Sequence, residues 1–332
     1  MTETAPPPRT DLPPPPHRPT AVRRALRVVA ILACVPYVSL KVAWVAGSEI
    51  GIPPGSVLLE HRLTLVIANS VTVVADALVV VLALLLTQTW GRRFPGRLLA
   101  LPMWAATGLL APIMTGYPAQ LAVAALNGDE QGAAPREPFL DPWVFGVVYG
   151  GFILQGLALG ALFLLYARDR WGHLWSGRLG GLSSRTSGPG VRAVAVAGSV
   201  IGLGSAALHL LWATGATTGL SARRIAERDA DFHVLEAQGF VFPAVAVVFT
   251  LLLVLRRPAR LRVRTALAPA WTASAAVGCW GAYMSLVALL PETDPTKHVP
   301  GLVQLSYAGD MITGFLLAAC VAVFLRRRSA GA

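Results

Sequence analysis

Lysine and asparagine are almost missing from this 332-residue chain: Lys41 and Lys297 are the two lysines, Asn69 and Asn127 the two asparagines. Positive charge is therefore carried by arginine, the bias of a GC-rich genome, which points to a bacterial source. Charge of either sign is scarce, 14% of residues against roughly a quarter in an ordinary soluble domain. Such a chain has too little polar surface to keep a large fold in water. Cysteine is sparse too. Cys34, Cys279 and Cys320 all lie inside apolar runs, so no pair sits in a loop where an oxidising compartment could join it. The sequence also lacks a phosphate-cradling glycine loop with its lysine, a nucleophile-elbow serine, and histidines paired on one helical turn or spaced for haem. No cofactor is indicated.

What the chain has is apolar length. Hydrophobic residues make up 55% and mean hydropathy is +0.59. They cluster into runs of about 20 residues, enough to cross a hydrocarbon core of roughly 30 Å. The pattern predicts an all-α polytopic membrane bundle of about eight transmembrane helices, near residues 24–46, 63–88, 98–115, 142–166, 191–214, 236–255, 267–290 and 303–325. Pro118 interrupts the third run, so Tyr117 to Leu126 reads as a short interfacial or re-entrant segment. Residues 1–21, with Pro6-Pro7-Pro8 and Pro13 to Pro16, read as a disordered Pro-rich tail. The apolar run around Cys34 continues past it, which favours an uncleaved first helix over a signal peptide.

The net charge of +11 is distributed by topology. Arginines gather at the amino-terminal side (Arg23, Arg24, Arg27), in alternate loops (Arg92, Arg93, Arg97; Arg168, Arg170, Arg178; Arg256, Arg257, Arg260) and at the end (Arg326, Arg327, Arg328). The side these loops share holds 21 of the 28 basic residues, and the other side holds 12 of the 17 acids. The positive-inside rule makes the first side cytoplasmic and places both termini there, in a cell membrane. The basic residues alternate with apolar runs and form no aromatic-interleaved face, so the bilayer and its anionic head groups are the expected partner and nucleic acid is not.

The sequence echoes itself. Leu40-Lys41-x-x-Trp44-x-x-Gly47 matches Leu208-His209-x-x-Trp212-x-x-Gly215, Leu101-Pro102-x-Trp104 matches Ala268-Pro269-x-Trp271, and Tyr149-x-Gly151-x4-Gly156 matches Tyr307-x-Gly309-x4-Gly314. Three echoes in one order predict two four-helix repeats, residues 22–170 and 191–328, joined by a cytoplasmic basic linker at 171–190. A four-helix unit starts and ends on one side, so the repeats are parallel. The segment Pro36-Tyr37-x-x-Leu40-Lys41-x-x-Trp44-x-x-Gly47 resembles uncharacterised multi-pass membrane proteins of high-GC Gram-positive bacteria. That resemblance covers one helix and its echo and implies no activity or site.

Ionisable groups within apolar runs are the pointers to function, because an acid at a helix centre costs roughly 2.5–3.5 kcal/mol to insert. Asp76 falls near the midplane of the second span and Asp310 about 10 Å inside the last one. Lys41 and His209 sit at equivalent places in the two repeats, about 7 Å inside. A base on the first helix of each repeat thus faces an acid from another helix. One reading is an intramembrane polar pathway of Asp76, Asp310, Lys41 and His209 for proton- or ion-coupled transport, extended by Asn69, Gln155 and Gln304. The other is that Lys41 snorkels and the pairs fix packing. His61, His233 and Glu236 form an outer cluster able to bind a divalent metal or ligand, or simply a solvated helix start. The function classes are, in order, a permease for a small molecule or ion, a non-catalytic accessory or sensor protein, and a membrane-embedded enzyme acting on lipid-like substrates. Oligomeric state is not encoded in any motif.

Overall fold

The computed structural model describes residues 20–60, 62–127, 139–183, 186–290 and 298–330, so most of the Pro-rich tail lies outside it. Every regular element among these residues is helical, apart from one isolated bridge between Arg178 and Arg262.

The first apolar run forms two helices, α1 (Ala21–Leu32) and α2 (Val35–Val45), instead of one. Pro36 has no N–H to donate and its ring excludes the carbonyl four residues back, so the chain breaks at Ala33 and Cys34. The short α3 (Val57–Glu60) leads into α4 (Arg62–Thr87). Next comes α5 (Gly96–Asn127), which corrects the expected break at Pro118: it runs 32 residues through Pro102, Pro112 and Pro118. Around Pro112 neighbouring helices donate to the backbone of α5, Trp280 Nε1 to Leu109 O at 3.3 Å and Gln238 Nε2 to Pro112 O at 3.1 Å. Supply of such donors by adjacent helices is what lets proline persist inside a membrane helix. Then follow α6 (Pro142–Trp171) and α7 (Pro189–Ala213), each with proline in its first turn, where no N–H is needed. The short α8 (Ala222–Ala226) precedes α9 (Ala230–Leu255), capped by Asp229 accepting from Phe232 N at 2.8 Å. Last are α10 (Val263–Ala288) and α11 (Gly301–Ala330).

Among the described residues seven helices are long and apolar enough to cross a membrane, counting α1 and α2 as one, which marks a multi-pass membrane protein. The long helix outside this set is α10. It is built of alanine, glycine and serine around Trp271 and Trp280, buries 11 residues, and packs between α5, α9 and α11. A helix walled in by protein touches little lipid and needs little hydrophobicity, whereas small residues let its neighbours approach. At the closest of these approaches, a Cβ on Gly314 of α11 would overlap the backbone of Gly278.

The basic linker is folded. Leu179 is fully buried, and its N–H donates to Leu261 O at 2.8 Å while Val263 N donates to Gly177 O at 3.0 Å. It joins α7 to the arginine-rich end of the bundle.

Two turns at the opposite end share one geometry. After α2, Trp44 Nε1 donates to Ile50 O at 2.8 Å, Gly47 and Gly51 have φ of 99° and 75°, and Arg62 reaches Gly47 O. After α7, Trp212 Nε1 donates to Thr218 O at 2.9 Å, Gly215 and Gly219 have φ of 100° and 74°, and Arg228 reaches Gly215 O. Left-handed φ is reserved largely for glycine, so the two Gly-x-x-x-Gly turns fix the same reversal of the chain. Between α5 and α10, Gly108 lies against the backbone of Ala275, Trp104 stacks near Phe315 (5.6 Å) and Trp271 near Phe163 (5.9 Å).

Candidate functional site

The four intramembrane residues do not meet at one point. They form two separate clusters. In the first, Lys41 Nζ on α2 donates to Asp76 Oδ2 on α4 at 2.8 Å. Both are buried, although Val74 and Leu78 beside Asp76 are about 60% exposed, so α4 turns a lipid-facing side outward and its acid inward. The Tyr37 hydroxyl lies 2.9 Å from Gln155 Oε1 and 3.3 Å from Asp76 Oδ1, and the Lys41 ammonium sits 5.0 Å from the Tyr37 ring centre and 5.5 Å from that of Phe152. The ammonium is thus enclosed by one carboxylate and two aromatic faces, with ion pairing and cation–π attraction both acting on it.

In the second cluster, His209 on α7 stands between two carboxylates. Its Nδ1 is 2.6 Å from Glu236 Oε2 on α9, and its Nε2 is 3.2 Å from Asp310 Oδ2 on α11. Ser205 Oγ donates to Asp310 Oδ1 at 2.6 Å. Gly239 leaves room for the imidazole, since a Cβ there would overlap the ring. A neutral imidazole donates from one nitrogen only. Hydrogen bonds to both carboxylates at once therefore require either an imidazolium or one protonated carboxyl group.

The second cluster opens on a cavity of about 660 Å³ and the first does not line it. His209, Glu236 and Asp310 form one wall, Ile113, Tyr117 and Gln120 of α5 with Tyr149 of α6 another, and Trp280 and Met284 of α10 a third. Arg224 of α8, hydrogen-bonded to the Tyr307 hydroxyl at 3.1 Å, borders it together with Glu227, Asp229 and Asp231. A volume in the range of small-molecule sites, with apolar walls and a few converging polar groups, is what a ligand pocket requires.

The outer cluster is described only in part. His61 lies outside the described residues, His233 Nδ1 pairs with Ala213 O at 2.9 Å, and Glu236 is engaged by His209. Among the described residues no group of three histidine, cysteine or acidic side chains is placed to hold a metal. Asn69 donates to Leu65 O of its own helix and Gln304 to Val299 O, and neither lines the cavity. Glu236 joins His209 because α9 starts at Ala230, which carries the acid almost two turns into the helix instead of leaving it at the start. Arg224, Tyr149 and Trp280 carried no mark as site residues in the sequence.

Comparison with protein-family models, with curated proteins and with solved structures finds no match to this chain.

Proposed function

We propose that the protein is a permease-like transporter of a small molecule or ion, and that His209, Glu236 and Asp310 are its proton-bearing switch. The observation that carries the reading is the histidine held between two carboxylates on the wall of a ligand-sized cavity. A ligand entering beside the trio changes the field on its shared proton, and release of that proton alters which helices α7, α9 and α11 hold together. That linkage is the elementary requirement of coupled transport. Lys41 and Asp76, sealed from the cavity, act as a fixed clamp.

The proposed topology has eight spans, with α10 crossing as a protein-enclosed helix, in two parallel four-helix repeats with both termini in the cytoplasm. The matching Trp-Gly turns at an offset of 168 residues (47 to 215, 51 to 219) support the repeat, as does the crosswise packing of Trp104 and Trp271 about Gly108 and Ala275. The positive-inside rule supports the orientation and a cell-membrane location. The cavity then lies in the outer half of the bundle.

The test is untargeted mass spectrometry of medium and extract from cells overproducing the wild type, H209A or D310N. At least one small solute should be redistributed by the wild type and by neither variant. If no solute moves, or if both variants move it as the wild type does, the transport reading fails.

A further inference from the structure

We infer that the cavity beside His209 binds an organic cation, an ammonium group carried on an apolar body. The inference rests on reading this cavity as the substrate site and adds the class of substrate.

The first half of the chain supplies the template, because it already holds an ammonium at the matching place. By the offset of 168 residues, Lys41 corresponds to His209 and Tyr37 to Ser205; by the 158-residue offset that joins Gly151 to Gly309, Phe152 corresponds to Asp310. The packing agrees with this register: Gly151 lies against Tyr37, and Gly309 lies nearest Ser205. In the first half the Lys41 side chain carries its ammonium to Asp76, beside the faces of Tyr37 and Phe152. In the second half the tyrosine ring is reduced to a serine and the lysine chain to a shorter imidazole, while phenylalanine gives way to a carboxylate. Two of these replacements, His209 and Asp310, line the open cavity, whereas none of Tyr37, Lys41 and Phe152 does. What remains there is Glu236 and Asp310, with Phe242, Trp280 and Tyr307 among the walls.

Charge agrees with the template. Glu227, Asp229, Asp231, Glu236 and Asp310 line the cavity against Arg224 and His209, so the formal charge summed over the lining residues is negative. The lining stays negative even with an imidazolium at 209. A cation is drawn in by that field and held by the aromatic faces, which attract cations and not anions.

The experiment measures binding of phenethylamine, phenethyl alcohol and phenylacetate, one framework in cationic, neutral and anionic form, to the purified full-length protein in detergent micelles by equilibrium dialysis. The amine should bind at least about tenfold more tightly than the alcohol, as expected for a desolvated cation between carboxylates and rings. The variant H209K places the chain's own ammonium in the cavity and should abolish amine binding; the near-isosteric D310N should weaken it by about tenfold. Equal binding of amine and alcohol overturns the inference, as does preference for phenylacetate, which would make Arg224 the anchor. Unchanged amine affinity in a monodisperse H209K protein overturns it too. Failure here with solute redistribution intact removes the substrate class alone, whereas selective amine binding without redistribution removes transport and leaves the site.

Discussion

Replacing Asp76 by asparagine leaves the Lys41 ammonium buried without its counter-charge. Both side chains are about 90% buried and the pair is 2.8 Å apart, so water cannot take the carboxylate's place without opening the packing of α2 on α4. Breaking one side of such a pair costs about 3–5 kcal/mol, whereas exchanging both partners for apolar residues is close to neutral. At about 2 °C per kcal/mol for a large chain, D76N should unfold roughly 6–10 °C below the wild type. The double variant K41M/D76L should recover most of that loss. The assay is thermal unfolding of the purified protein in one detergent, read by tryptophan fluorescence, with the solute-redistribution measurement run on the same set. A D76N protein as stable as the wild type would refute the clamp. A double variant that is stable but no longer redistributes solute would refute it differently, by making the pair part of the transport path.

Two further outcomes are expected. Gly108 meets the backbone of Ala275, so a leucine at 108 must push α5 from α10; overpacking of this kind costs about 1–3 kcal/mol, and G108L should lower the unfolding temperature while G150L, where a Cβ meets nothing, should not. Cysteines introduced at the exposed Thr217 and Ser329 report topology: an impermeant maleimide should label T217C in intact cells and S329C only after permeabilisation, and the reverse result would invert the proposed orientation.

The amphipathic logic of the chain was legible wherever one dimension suffices. Apolar run length located most of the long helices to within about six residues, the exceptions being α5, which runs on to Asn127, and the first run, which divides into α1 and α2; the isolated charges Lys41, Asp76, His209 and Asp310 stood out because the membrane makes them costly. Which helix faces which is not written in a run of apolar residues. For that reason the four charges read as one pathway, although the fold divides them into a sealed pair and a cavity-lining group. The same limit hid Arg224, Tyr149 and Trp280, ordinary residues until three helices bring them to one cavity. Proline was legible as a constraint and not as an outcome: Pro36 breaks the first run, whereas Pro112 and Pro118 sit in a continuous α5 whose backbone near Pro112 also accepts from Trp280 and Gln238. Glu236 lies deeper in α9 than the apolar run indicated, because the helix starts at Ala230, six residues before that run begins.

The modest hydrophobicity of α10 bears on how the protein is made. A segment this rich in alanine, glycine and serine gains little from partitioning alone into lipid as it leaves the ribosome. Its stable place is created by α5, α9 and α11, and the last of these is synthesised after it. In the proposed topology α10 must therefore wait at the insertion machinery until α11 emerges, and the two enter the bilayer as a hairpin zipped along Gly278 and Gly314. The C-terminal helix is in this sense an assembly factor for its predecessor, carried on the same chain.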